Sequence, residues 1–144
     1  MHISKASSAD APQLFAVWEA SVRATHDFLD EAQLQRLAPL VRELMSSYAP
    51  IYCLRDDSGA PFAFLGVSNN EIDMLFVAPA RRGQGAGRVL AEYAIATLGA
   101  NKVGVNEQNG QAVGFYERLG FRTVSRSPLD GQGEPLPILH MELA

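Results

Sequence analysis

The stretch Glu71-Ile72-Asp73-Met74-Leu75-Phe76-Val77-Ala78-Pro79-Ala80-Arg81-Arg82-Gly83-Gln84-Gly85-Ala86-Gly87-Arg88-Val89-Leu90 decides how this chain is read. It opens with an apolar run of strand length and closes on residues that recur at helical spacing, so a strand passes into a helix through three glycines at alternate positions. Glycine carries no Cβ, and a turn built of it lets the backbone approach a ligand closely. The first N–H groups of the helix that follows have no partner inside it. Those of Gln84 to Arg88, together with the positive end of the helix dipole, form a seat for an anion of the pyrophosphate kind, and Arg82 or Arg88 can add charge. A bare surface loop rich in glycine would lack the strand before and the amphipathic helix after.

Spacing separates this turn from two other phosphate binders. A dinucleotide fingerprint beginning at Gly83 requires Gly or Ala where Arg88 stands, and it should follow its strand without the interval Ala78 to Arg82. Glu107 does lie about twenty residues on, as a ribose-binding acid would. A P-loop is excluded because no Gly-Lys-Ser/Thr follows the glycines.

Outward from the turn, the helix it opens carries Val89, Leu90, Tyr93, Ala94 and Leu98 as an apolar stripe, with Gly99 placed to end it in the left-handed conformation. Lys102 to Asn106 reads as a strand. Asn109 caps a helix whose inward face is Ala112, Phe115, Tyr116 and Leu119, and Gly120 stops it. Phe121 to Ser127 and Ile138 to Leu143 are two more strands, joined by a loop, Pro128 to Pro137, too rich in Pro and Gly to be regular. Upstream, Ile51 to Arg55 and Pro61 to Ser68 form a hairpin around Asp56-Asp57-Ser58-Gly59, and Asn69-Asn70 turns the chain into Glu71. Before them stand a short strand, Ile3 to Ser7, and two helices. The first bears Leu14, Val17, Trp18 and Val22; the second runs from about Asp30 to Ser47, with Pro39 expected to kink or restart it. The order β-α-α-β-β-β-α-β-α-β-β predicts a mixed α/β sheet with helices on both faces.

Composition sets the outer limits. The 144 residues, 47% hydrophobic and 19% charged, suit a single domain over 1–144. Cys53 is the only cysteine, and its alternation with Ile51 marks it as a small buried hydrophobe rather than a nucleophile. The start, Met1-His2-Ile3-Ser4-Lys5, lacks the pattern of a signal peptide, and no stretch approaches about 20 apolar residues, so a cytoplasmic protein without a membrane partner is expected. A net charge of −4 argues against a nucleic-acid partner.

With Arg82, Gly85 and Gly87 meeting the pattern Arg/Gln-x-x-Gly-x-Gly/Ala, and Asn109, Ala112, Phe115, Tyr116, Leu119, Gly120 and Phe121 following it, the chain resembles the GCN5-related N-acetyltransferase (GNAT) superfamily from Ile3 to Leu143. Ala24-Thr25-His26-Asp27-Phe28-Leu29, Val105-Asn106-Glu107-Gln108-Asn109 and Arg126-Ser127-Pro128-Leu129-Asp130 are similar to its small bacterial YjaB-type branch. The resemblance implies a mostly antiparallel seven-stranded sheet flanked by four helices, and acetyl-CoA as co-substrate with no metal. It implies that the strand before the turn splays from its neighbour, so that backbone around Leu75, Phe76 and Val77 takes the pantetheine arm. Arg82, Gly83, Gln84, Gly85, Ala86, Gly87 and Arg88 would hold the pyrophosphate, with Asn109, Ala112, Phe115 and Tyr116 lining the arm from the second helix.

Acyl transfer from a thioester to an amine requires a neutral amine, support for an oxyanion and a proton for the thiolate. The resemblance places the Tyr116 hydroxyl near the CoA sulfur, and a phenol of pKa about 10 can protonate a thiolate whose conjugate acid is near 8.5. A lysine-like amine is almost all ammonium at neutral pH, so a base is wanted. Glu71 is the first choice. It alternates with Asp73, which predicts both carboxylates on the face of Leu75 and Val77. Some relatives place a glutamate on the next strand, where this chain has Gly104. His26, between the first two helices, is the other contender, and Trp18, His26, Asp27, Phe28 and the Pro128 to Pro137 loop would wall the acceptor pocket. The acceptor is a small-molecule or peptide amine, and the protein a monomer or homodimer. A non-catalytic CoA-binding or sensing module is the alternative function.

Overall fold

The computed structural model describes residues 1–25, 29–131 and 133–143. Its elements follow the predicted order: β1 (Ile3–Lys5), α1 (Ala11–Thr25), α2 (Glu31–Ser47), β2 (Tyr52–Arg55), β3 (Pro61–Ser68), β4 (Glu71–Val77), α3 (Ala86–Ala96), β5 (Lys102–Asn106), α4 (Gly110–Arg118), β6 (Phe121–Ser127) and β7 (Ile138–Leu143). Short 3-10 turns at Ser8–Asp10 and Pro79–Arg81 complete them. α2 runs through Pro39 without a restart. Asp30 caps that helix by accepting from the Gln33 amide at 2.7 Å while its own amide donates to Gln33 Oε1 at 2.9 Å.

The strands form one seven-stranded sheet in the order β1-β2-β3-β4-β5-β7-β6. Every neighbouring pair is antiparallel except β4–β5. That parallel pair is registered only at Glu71↔Lys102 and Ile72↔Val103. Beyond Ile72, β4 and β5 carry on to Val77 and Asn106 without pairing, so the sheet opens between them.

Two apolar clusters occupy the two faces. Leu65, Ile72, Leu75, Val77, Val103, Val105 and Met141 pack with α3 and α4. Phe64, Met74 and Phe76 pack with α1 and α2. Ile72 and Met74 therefore face opposite sides although they lie two residues apart. The register supplies the reason: Met74 pairs Gly66 and Ile72 pairs Val67, which leaves Asp73 as the extra residue of a β-bulge. This corrects the alternation argument. Glu71 shares the α1–α2 face with Met74 and Phe76, not the face of Leu75 and Val77, because one extra residue inverts every side chain before it.

The bulge is braced from across the sheet. A Cβ on Gly66 would stand 2.6 Å from Met74 Cε and 2.9 Å from Tyr48 Cε1, so the missing side chain lets Tyr48 lie on β3. Tyr48 Oη then donates to Asp73 Oδ2 at 2.7 Å, and Ser68 Oγ donates to the same oxygen. Partial burial, with the hydrogen bond to Asp73, pushes the Tyr48 phenol up to about 12. Cys53 is fully buried beside Ser4 Oγ at 3.8 Å, and burial pushes its thiol up, as expected of an inert core residue.

Candidate active site

A cavity of about 730 Å3 follows the opening between β4 and β5. β4 contributes Leu75, Phe76 and Val77 to its wall, and the turn and the start of α3 contribute Arg82, Gly83, Gly85, Ala86, Gly87 and Arg88. α4 and its cap contribute Asn109, Ala112, Phe115 and Tyr116. Of the residues assigned to the coenzyme from sequence, Gln84 alone does not line this space; its Oε1 accepts from Arg81 Nε at 3.2 Å.

The local backbone explains why glycine stands where it does. Gly83 and Gly85 have φ of 76° and 87°, the left-handed region that costs other residues strain, and Gly85 is the residue from which α3 starts. The first backbone bond of α3 is Val89 N–H to Gly85 O at 3.0 Å. The amides of Ala86, Gly87 and Arg88 precede it, at the positive end of the helix. Gly87 has no such φ; a Cβ there would stand 3.6 Å from the Phe115 ring, where α3 meets α4.

Charge around the cavity is one-sided. Arg81, Arg82, Arg88 and Arg118 line it, and among the described residues no carboxylate does. A molecule of net charge −4 thus keeps a cationic cleft. Arg82 reaches back to α1, donating from Nη2 to the Ser21 carbonyl at 3.4 Å and to Ser21 Oγ at 3.3 Å. Arg81 lies over the Phe62 ring at 3.9 Å. Arg118, absent from the sequence reading, lies on the helical face of Gln111 and Phe115, and that i, i+4, i+7 spacing was the available signal. Glu107 is held by Arg126 at 2.6 and 3.1 Å, which engages the one carboxylate at ribose-binding distance in sequence.

Tyr116 is packed edge-on against Phe115 and Phe121, with ring centroids 5.0 and 5.6 Å away. Its residue is 7% exposed, yet the hydroxyl has no hydrogen-bond partner among the described residues and the side chain borders the cavity. Burial pushes the phenol well up from its ordinary value. Asn109 caps α4 by accepting from the Ala112 amide at 3.2 Å, which fixes the turn that presents Phe115 and Tyr116.

Glu71 does not line the cavity; it lies four residues up β4 from Leu75, roughly 13 Å along the strand. Its Oε2 is 3.9 Å from where a Gly104 Cβ would stand, so its carboxylate borders the space that Gly104 leaves on the neighbouring strand. Asp73, paired with Glu71 in the sequence argument, is engaged by Tyr48 and Ser68 instead. His26, Asp27 and Phe28 lie outside the described residues. Among the described residues there is no cluster of metal-ligating side chains, and no helix is long and apolar enough to cross a membrane.

Comparison with known proteins agrees with this geometry. Residues 19–144 match the family model of the acetyltransferase (GNAT) domain. Over 141 residues the chain is 38% identical to the peptidyl-lysine N-acetyltransferase YjaB of Salmonella typhimurium, covering 98% of this chain and 97% of that one. The Escherichia coli YjaB is 39% identical over 139 residues, covering 96% and 94%. The solution structure of its apo form superimposes with a TM-score of 0.91 over 100% of this chain and 99% of that one, at 38% identity. The PaiA N-acetyltransferase of Thermoplasma acidophilum, solved with coenzyme A, shares the fold at a TM-score of 0.72 and 20% identity, covering 99% and 98%. The chain belongs to the GNAT acetyltransferase family, in its YjaB-type branch, and is an acetyl-CoA-dependent N-acetyltransferase.

Proposed function

We propose that this enzyme acetylates the side-chain amine of lysine in peptides or proteins by direct transfer in a ternary complex, with Glu71 as base and Tyr116 as acid. The observation that carries the reading is the opening past Ile72, with Glu71 on its α1–α2 side and Tyr116 on its α3–α4 side. An amine arriving from one face and a thioester arm lying along the other would meet there. The lysine assignment leans on the relatives named peptidyl-lysine N-acetyltransferases.

Acetyl-CoA, when bound, supplies the acetyl group as a thioester. The amides of Ala86, Gly87 and Arg88, with the surrounding arginines, hold its pyrophosphate by charge-assisted hydrogen bonds. Backbone groups of Leu75 to Val77, unpaired on the β5 side, hold the arm as a further strand would. Glu71 takes one proton from the acceptor ammonium through water, since the strand distance is too long for contact at the cavity wall. The freed nitrogen lone pair forms the amide bond as the carbon–sulfur bond breaks. Tyr116 gives its proton to the departing sulfur and is reprotonated, by way of solvent, by the second proton that the attacking nitrogen sheds, while Glu71 returns the first to solvent. The net products are amide, thiol and one proton.

Thiol release measured with a lysine peptide, a free amino acid and a polyamine tests the acceptor class; a preference for the polyamine would overturn the lysine reading. Glu71→Gln is expected to lower kcat about 100-fold, within the usual range for a general base, and to abolish the acidic limb of the pH–rate profile. An unaltered profile in that variant would remove Glu71 from the mechanism.

A further inference from the structure

The sheet face that carries Glu71 continues beyond it. α1 packs on β3 and β4, and the strands further along, β5, β7 and β6, bring polar groups to the same side. Leu139 and Met141 pack with the α3–α4 cluster, so His140 between them faces the other way, toward the α1–α2 side. Val103 and Val105 place Gly104 on that side by the same alternation. Gly104 and His140 are direct partners in the β5–β7 ladder.

Three features make this more than a polar patch. Ser127 Oγ and His140 Nε2 are 2.7 Å apart, which holds the ring and leaves Nδ1 as the nitrogen without a partner among the described residues. Gly104 has no positive φ and its Cβ would make only ordinary contacts, 3.4 Å to Ile138 and 3.9 Å to Glu71 Oε2. The backbone therefore does not require glycine; what glycine supplies is room between the Glu71 carboxylate and the strand that carries His140. Lastly, the segment that joins β6 to β7 is fastened to α2 by Arg36 and Glu134 at 3.0 Å, so a wall stands beside this floor. His140 itself is half-buried, as a group at the bottom of a groove would be.

We infer that Glu71, Gly104 and His140 form the floor of the acceptor groove, and that His140, oriented by Ser127, is an acceptor-positioning residue which takes a hydrogen bond from the incoming amine while Glu71 takes its proton. This rests on the lysine reading above. A neutral imidazole nitrogen accepts one N–H of the amine, the carboxylate removes another proton, and the lone pair so released points to the opening. No atom passes to His140; its part is to fix the angle of approach.

The test uses a short N-acetylated, C-amidated peptide containing one lysine. His140→Ala is expected to raise the KM for this peptide about tenfold while the KM for acetyl-CoA and the Tm stay as in the parent. His140→Asn, which restores an acceptor atom, should recover part of the loss, and Ser127→Ala should show a smaller increase in the same constant. Gly104→Val should act likewise by filling the room beside Glu71. As a readout independent of turnover, adding the peptide to CoA-saturated protein should shift the ring nitrogen resonances of His140. If the peptide is acetylated and the His140→Ala KM stays within twofold, or both KM values rise together, the inference falls alone. If the peptide is neither bound nor acetylated while acetyl-CoA binds, the lysine reading falls and takes the inference with it.

Discussion

Tyr116 shows how a single side chain can serve packing and chemistry at once. Its ring is wedged between Phe115 and Phe121 and belongs to the larger apolar cluster, while its side chain also borders the cavity. Burial raises the phenol above its ordinary value, so Tyr116 stays protonated through the alkaline range in which an amine becomes reactive. Tyr116→Phe keeps the ring and removes only the proton. Turnover should fall by about ten- to ten-thousandfold, with acetyl-CoA affinity by calorimetry unchanged. In the parent, kcat should show no descending limb attributable to Tyr116 up to about pH 10, because the raised group has not begun to ionise there. Full turnover in the phenylalanine variant would leave Tyr116 a core aromatic. Tyr116 was singled out by the resemblance that Asn109 and its following helix carry, and periodicity alone would have left it a core aromatic, whereas the engagement of Asp73 was not legible, since it depends on Tyr48 arriving from 25 positions away.

At the scale of elements, the strand–turn–helix unit was readable because each glycine sits where a local rule applies, and the structure divides the three into two kinds of work, with Gly83 and Gly85 both in the left-handed region. Gly85 needs its left-handed backbone, and Gly87 needs only slimness at the contact with Phe115. Gly85→Ala should cost about 1–2 kcal/mol in strain, relieved by a changed turn, and so weaken acetyl-CoA binding about tenfold. Gly87→Ala carries no strain of that kind and should weaken binding less, through bulk at the cavity wall. Equal losses in isothermal titration would show that backbone conformation is not what the turn contributes. The β-bulge at Asp73 escaped the sequence because it is a mismatch of counts between two strands. A period of two along β4 alone gives no sign of where its partner drops a residue, and this one miscount moved Glu71 to the opposite face.

Across the whole molecule, the β4–β5 opening ties the two helical layers to one cavity, and Arg82 crosses it to reach Ser21 on α1. The element order followed from periodicity and turn chemistry, but the opening did not: loss of pairing after Ile72 leaves no mark on either strand's own pattern. The α1 layer is anchored at its start by an ion pair that sets a limit on acid stability. Arg55 on β2 grips Asp10 with both η nitrogens, at 3.0 and 2.8 Å, and the Ser7 amide adds a bond at 2.8 Å. The Arg55 hydrogen bond is the main cause that holds the Asp10 carboxyl down to about 2. An acid lowered on folding stabilises the native state above its unfolded value, near 4, and loses that contribution as pH falls through its folded value. The pair should therefore add about 2 kcal/mol at neutral pH, declining between about pH 4 and pH 2. Urea unfolding followed over that range should show the decline in the parent. In Asp10→Asn the curve should start lower and run flatter through the same window. If instead the two curves kept a constant separation down to pH 2, the anchor would owe its strength to packing around α1 rather than to the charge on Asp10.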